Sequence, residues 1–140
     1  MSIFRKVSAI VIFILSLSMF LIGCSEKNTV QKLIISTTQY ANEDSLDDVS
    51  QPDTVSADQS LYASISFMES PKGMEYTGKW YIDGKMIKTE TKSIETDQHG
   101  VIVFTLDSNQ VTTGTLRFEV TYKDTLLSYK ELTIQSDNEN

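Results

Sequence analysis

Two residues with reactive side chains are alone of their kind in this chain of 140: Cys24 is the only cysteine and His99 the only histidine. A thiolate is a nucleophile and a soft metal ligand, and an imidazole titrates near neutral pH, so either could do chemistry beside the right neighbours. The spacing withholds those neighbours. His99 falls in the turn-forming run Asp97-Gln98-His99-Gly100, where a solvated loop residue is expected in place of a general base. No His-Glu-x-x-His or Cys-x-x-Cys spacing exists, so no transition-metal site is expected. Gly73, Gly78 and Gly84 fit no phosphate-cradling pattern, and no Gly-x-Ser-x-Gly run occurs. The reading therefore assigns no catalytic residue, no metal and no cofactor.

The densest group of hard oxygen donors is Glu43-Asp44-Ser45-Leu46-Asp47-Asp48, with Asp53 and Asp58 beyond it. Several carboxylates close in sequence are what Ca²⁺ takes as ligands. The Asp-x-Asp-x-Asp-Gly spacing of a loop site is missing, however, and an acidic solvated loop explains the run equally. Tyr62, Tyr76, Tyr81 and Tyr129 fall on strand phases that face away from the expected core. Exposed tyrosines favour recognition of peptide or sugar, though tyrosine is also simply a good strand former.

The elements that must position these residues follow from period-two patterning. Lys32 to Thr38 is a β-branched run read as a first strand, and 39–59, rich in Asp, Ser, Asn and Thr with one proline, reads as a loop. From Ser60 the alternation is regular: Leu61, Ala63, Ile65 and Phe67 share one face. Pro71-Lys72-Gly73 turns the chain, and Asp83-Gly84 is the pair that tolerates the positive φ angles of a type I′ hairpin. Trp80 and Ile82 point inward on its first arm. Ile102, Phe104 and Leu106 form the next inward face, followed by Leu116, Phe118, Val120 and Tyr122, then a bend at Lys123-Asp124-Thr125 and an inward Leu132 and Ile134. The adjacent Leu126 and Leu127 indicate a bulge. No run after Cys24 shows a helical period or an internal repeat. Six or seven short strands separated by turns imply an antiparallel sandwich or barrel.

The inward Trp80, the Asp83-Gly84 hairpin after it, and Gly114-x-Leu116-x-Phe118-x-Val120-x-Tyr122 before a last hairpin resemble the Ig-like domains of bacterial surface lipoproteins. The resemblance spans Lys32 to Gln135, lacks the inter-sheet cysteine pair of antibody domains, and implies an all-β, antiparallel Ig-like β-sandwich of about seven strands.

The beginning of the chain says how such a module would be held. Arg5 and Lys6 precede an uncharged apolar core, Val7 to Leu21, which is short of the ~20 residues a bilayer-spanning helix needs and has the length of a signal-peptide core. Ile22 before Gly23 fits an ordinary small-x-small cleavage site poorly. Leu21-Ile22-Gly23-Cys24 instead resembles the lipobox of bacterial membrane lipoproteins. That resemblance implies a diacylglyceryl group on the Cys24 thiol and cleavage before Cys24. Two acyl chains hold a protein stably where one is marginal, since each buried methylene is worth about 0.8 kcal/mol. With Cys24 so used, no thiol remains for a disulfide.

The expected division is a signal peptide at 1–23, a lipidated tether at 24–31, a sandwich at 32–136 with its acidic loop at 39–59, and a disordered tail at 137–140. Of 12 basic residues, Arg5 and Lys6 precede Cys24, and none of the 19 acidic ones does; a chain starting at Cys24 carries 10 against 19, a formal charge of −9. Such a chain has no electrostatic reason to bind nucleic acid. The expected function is an outward-facing, lipid-anchored module on the extracytoplasmic face of a bacterial cell membrane, non-enzymatic, with an envelope protein or wall polymer as partner. The alternative is a small lipocalin-like barrel carrying an apolar ligand, which needs about eight strands around a cavity.

Overall fold

Where apolar and polar residues alternate, the chain forms strands, because successive side chains on a strand point to opposite faces and one face can be buried. A computed structural model describes residues 28–137, so Leu21, Ile22, Gly23 and Cys24, with the rest of the leader, lie outside the described residues, as do 138–140. The strands are β1 (Val30–Ser36), β2 (Thr54–Ser56), β3 (Leu61–Ser70), β4 (Glu75–Ile82), β5 (Lys85–Ser93), β6 (Gln98–Leu106), β7 (Gly114–Tyr122) and β8 (Thr125–Gln135). A one-turn helix α1 (Glu43–Asp47) lies between β1 and β2, and a 3₁₀ turn, Ser108–Gln110, between β6 and β7.

The strands sort into two sheets, β1-β3-β6 and β2-β8-β7-β4-β5. Every pairing is antiparallel except β2 with β8. This is the strand order of an Ig-like sandwich, with the first strand divided between the sheets as β1 and β2 and with β4, β7 and β8 as the centre of the second sheet. The expected fold class holds, with two adjustments. β1 begins at Val30, two residues before the Lys32 expected, and the 39–59 segment is built into the domain as α1 and β2 where a loop was expected. Neither element is long enough to show a period: α1 has five residues and β2 three.

The strand number a lipocalin-like barrel needs is thus reached, but the strands do not close into one sheet. The space between the two sheets is filled by Trp80, Tyr76, Phe67, Phe104 and Phe118, all fully buried, where a carrier barrel would keep a cavity. Trp80 meets Phe118 edge to face at 4.7 Å between centroids, and Phe67 stacks on Tyr76 at 4.1 Å. Tyr76 corrects the outward phase expected for it: its ring is in the core, and its hydroxyl is satisfied there by Ser70 Oγ at 2.6 Å and Thr29 Oγ1 at 2.9 Å.

The turns follow their residues. Asp83 and Gly84 have φ of 50° and 80°, the type I′ pair expected between β4 and β5. Lys123 and Asp124, at 45° and 65°, make the same kind of turn between β7 and β8 without a glycine. Val120 pairs with Ser128 and Thr121 with Leu126, so Leu127 is the extra residue of the expected bulge.

Gly78 lies on the inward face of β4 with Phe104 against it. A Cβ there would stand 2.8 Å from the Phe104 ring. Gly78→Ala is therefore expected to cost about 1–3 kcal/mol as an overpacked core, read as a lowered urea midpoint at unchanged slope. A variant as stable as the parent would mean the ring has room to withdraw.

Candidate functional site

The acidic run forms a helix for local reasons. Asn42 caps α1, its Oδ1 accepting the Ser45 N–H at 2.8 Å, and Glu43 and Asp44 occupy the first turn, where the helix dipole favours negative charge. Leu46 is fully buried and α1 packs on the outer face of the β1-β3-β6 sheet. That face admits it because β3 places the small Ser64 and Ser66 there, both buried. Ser64 Oγ accepts the Tyr40 N–H at 3.1 Å, and Lys32 Nζ donates to the Asp47 carbonyl at 2.7 Å, closing the helix C-terminus.

Gln51 fixes the return of the segment. Its Oε1 accepts the Ile35 N–H at 2.8 Å and its Nε2 donates to the Ile35 carbonyl at 2.7 Å, so one side-chain amide stands in for a neighbouring strand on the free edge of β1. Gln51→Ala leaves both backbone groups without this partner. Their part-buried position puts the expected cost at about 1 kcal/mol, with faster amide exchange at Ile35 as the direct readout.

Between α1 and the β5–β6 connection lies an open groove of about 570 Å³, lined by Asn42, Glu43 and Asp44 on one side and Lys92, Glu95 and His99 on the other. Glu43 Oε1 is 3.5 Å from His99 Nδ1. His99 is exposed and sits on β6, just after the bend at Thr96–Asp97, so the expected turn lies slightly earlier than placed. The nearest hydroxyl to the imidazole's backbone, Thr96 Oγ1, donates to the His99 carbonyl. The groove thus holds an exposed imidazole–carboxylate pair. The fold also divides the acidic run: Glu43 and Asp44 face this groove, whereas Asp47 lies beside Lys32. Among the described residues no three of His, Cys, Asp and Glu converge as a metal site would require.

A second surface is the outer face of the five-stranded sheet. Strand register brings Arg117 of β7 opposite Tyr81 of β4 and Glu131 of β8, and places Tyr129 opposite Glu119. The Arg117 guanidinium lies 3.9 Å from the centroid of the Tyr129 ring, donates to Glu131 Oε1 at 2.8 Å, and reaches Glu119 Oε1 at 3.4 Å. The hydrogen bond to Glu131, chiefly, raises the Arg117 pKa further above its ordinary value; desolvation opposes it, and Glu119 adds to the rise. The group is a fixed cation stacked on an aromatic, with Tyr129 half in solvent at 51% exposure.

Of the four tyrosines singled out in the sequence, the structure brings Tyr81 and Tyr129 together here, buries Tyr76, and leaves Tyr62, on β3, on the other sheet. Arg117 was legible as outward-facing, but its partners become visible only with the β7–β8 register. The sequence also gave no sign of Lys88 and Lys92, whose ammonium groups cross from β5 to the other sheet and donate to the Thr105 and Val103 carbonyls, each at 2.7 Å, with Glu90 between them.

No family model matches the chain, and no curated protein matches it either. Among solved structures it is similar to an immunoglobulin-like protein from Pseudomonas aeruginosa, at 14% identity and a TM-score of 0.47, over 81% of this chain and 99% of that one. It is also similar to the CARDB domain of a Pyrococcus furiosus protein in complex with di-metal ions, at 13% identity and a TM-score of 0.43, over 80% and 97%. A beta-glucosidase from Listeria innocua matches at 13% identity and a TM-score of 0.42, over 59% of this chain and 14% of that one.

Proposed function

We propose that this chain is a bacterial lipoprotein, acylated at Cys24 and held on the extracytoplasmic face of the cell membrane, whose sandwich serves as a non-enzymatic binding or accessory module of the envelope. The observation that carries the reading is Leu21-Ile22-Gly23-Cys24 at the end of a basic and then apolar leader, with Cys24 the only thiol in the chain. With no second cysteine in the chain, that thiol has no intramolecular disulfide partner. Among the described residues no helix is long and apolar enough to cross a membrane; two acyl chains on Cys24 would hold the domain at one stably.

The non-enzymatic part of the reading rests on the sequence, in which no catalytic motif surrounds the single histidine or the single cysteine. The binding part is supported by the Tyr81–Arg117–Tyr129 surface, made of residue types that dominate protein recognition. The partner is an envelope protein or a wall polymer; no nucleic acid is expected. Immobilised mature protein passed over solubilised envelope, with retained material identified by mass spectrometry, tests this. A specific component retained by the parent and lost on Tyr129→Ala supports the reading, and retention of nothing above background by the parent counts against it.

A further inference from the structure

We infer that the end of the sandwich from which the chain runs back to Cys24 rests on the bilayer surface, with Met68, Leu126 and Leu127 in the headgroup layer. This rests on the acylation proposed above. The chain is pinned where it enters the domain: the Thr29 carbonyl accepts the Met68 N–H at 2.9 Å, and its hydroxyl is bonded to Tyr76 in the core. Asn28 is held as well, its Nδ2 donating to the Leu127 carbonyl at 2.8 Å and its Oδ1 accepting the Val30 N–H at 3.0 Å. From Cys24 to Thr29 there are five residue steps, which reach at most about 18 Å even fully extended. Whatever path those residues take, the acyl chains stay within that distance of Thr29. A domain so held meets the membrane with the end nearest Thr29.

The side chains at that end suit a membrane surface. Four large apolar residues are exposed among the described residues, and two of them, Met68 at 37% and Leu126 at 45%, are at or next to the residues that pin the chain's entry. Leu127, the bulged residue whose carbonyl holds Asn28, is half-buried between them and the core. Lys72 and Lys123, on the β3–β4 and β7–β8 turns, stand at the same end with Glu69, Glu75, Asp124 and Asp97, whose Oδ1 accepts the Lys72 N–H at 3.2 Å, so the rim is mildly acidic and the apolar side chains carry the contact. The acidic helix α1 lies on the outer face of the other sheet. Glu43, 3.5 Å from His99, lies near this same end, since Gln98 and Gly100 pair with Ser70 and Phe67; the contact therefore requires a tilt that lowers the β7–β8 turn and carries Glu43 to Asp48 beyond the Debye length of about 8–10 Å within which anionic lipid repels them. A short tether also makes the local lipid concentration high, so shallow insertion of a few side chains suffices.

The test uses the full acylated protein, its Cys24 modification first read by mass spectrometry, in vesicles of phosphatidylethanolamine and phosphatidylglycerol with or without nitroxide-labelled lipid. Leu126→Cys and Asn109→Cys variants carry a bimane probe; Asn109 is on the 3₁₀ turn at the opposite end. The Leu126 probe is expected to lose roughly half its emission or more to the nitroxide, as befits a depth of about 5–10 Å, while the Asn109 probe is unchanged. An acylated Cys24 with no quenching at Leu126, or equal quenching at both positions, overturns this inference and leaves the lipoprotein reading standing. An unmodified Cys24 overturns both.

Discussion

Trp80→Ala is expected to destabilise the domain by about 3–5 kcal/mol, the range for removing a buried aromatic from a core that cannot collapse around the gap. Trp80 is fully buried in β4, a strand hydrogen-bonded on both sides, to β7 and to β5, and its indole packs edge to face with Phe118 of the neighbouring strand. The backbone around it is therefore held by two ladders and is poorly placed to close the cavity. A domain of this size has roughly 5–15 kcal/mol in total, so the variant would sit near the edge of folding. Trp80→Phe should behave quite differently. The indole N–H has no hydrogen-bond partner although it is buried, and an unsatisfied donor of that kind costs about 1–3 kcal/mol. Phenylalanine loses volume and removes that orphan donor together, so the two effects oppose and the net change should be well below that of alanine. Urea unfolding followed by circular dichroism separates the cases, since Trp80 is the only tryptophan and fluorescence is lost with it. An alanine variant that unfolds with the parent would show that the core is not organised around this residue.

Cys24→Ala is expected to abolish acylation altogether. In cells given radiolabelled fatty acid, the parent should carry label and migrate as the processed chain, and the variant should carry none and migrate as the larger precursor with its leader attached. The size of the effect follows from transfer of two acyl chains, at about 0.8 kcal/mol per methylene, which no other feature of the chain can replace. The uncleaved leader, Val7 to Leu21, is too short to span a bilayer comfortably. It is nonetheless apolar enough to keep the uncleaved variant associated with a membrane, so fractionation alone is a poorer readout than the label. Label on the alanine variant, or its absence from the parent, would remove the lipoprotein reading while leaving the sandwich untouched.

The sandwich was legible because its strands are long and half-buried, which writes a period of two into Leu61 to Phe67, Ile102 to Leu106 and Leu116 to Val120. The hairpin turns were legible because Asp-Gly tolerates positive φ where few other pairs do. What stayed hidden falls into two kinds. α1 and β2 are shorter than one repeat of any pattern, and their existence depends on what they lie against: the buried serines of β3 for the helix, the edge of β8 for the strand. Tyr76 was read onto an outward phase, although it lies four residues before Trp80 and so on the same face; its burial is completed by Ser70 and Thr29, hydroxyl partners from outside its own strand. The Arg117 cluster was hidden because it likewise depends on a neighbouring strand. Its members are 14 residues or fewer apart in sequence, yet only the register of β7 on β8 sets Glu131 and Tyr129 beside the guanidinium.

Three of the four free margins of the two sheets are blunted. Gln51 occupies β1, the Lys88 and Lys92 ammonium groups take the β6 carbonyls from their posts on β5, and β2 is three residues long. Unpaired strand edges are what allow separate copies to fuse into shared sheets. If copies of this chain are gathered in a two-dimensional layer, as the proposed anchor would gather them, such sealing keeps close neighbours from fusing into shared sheets and leaves each an individual molecule.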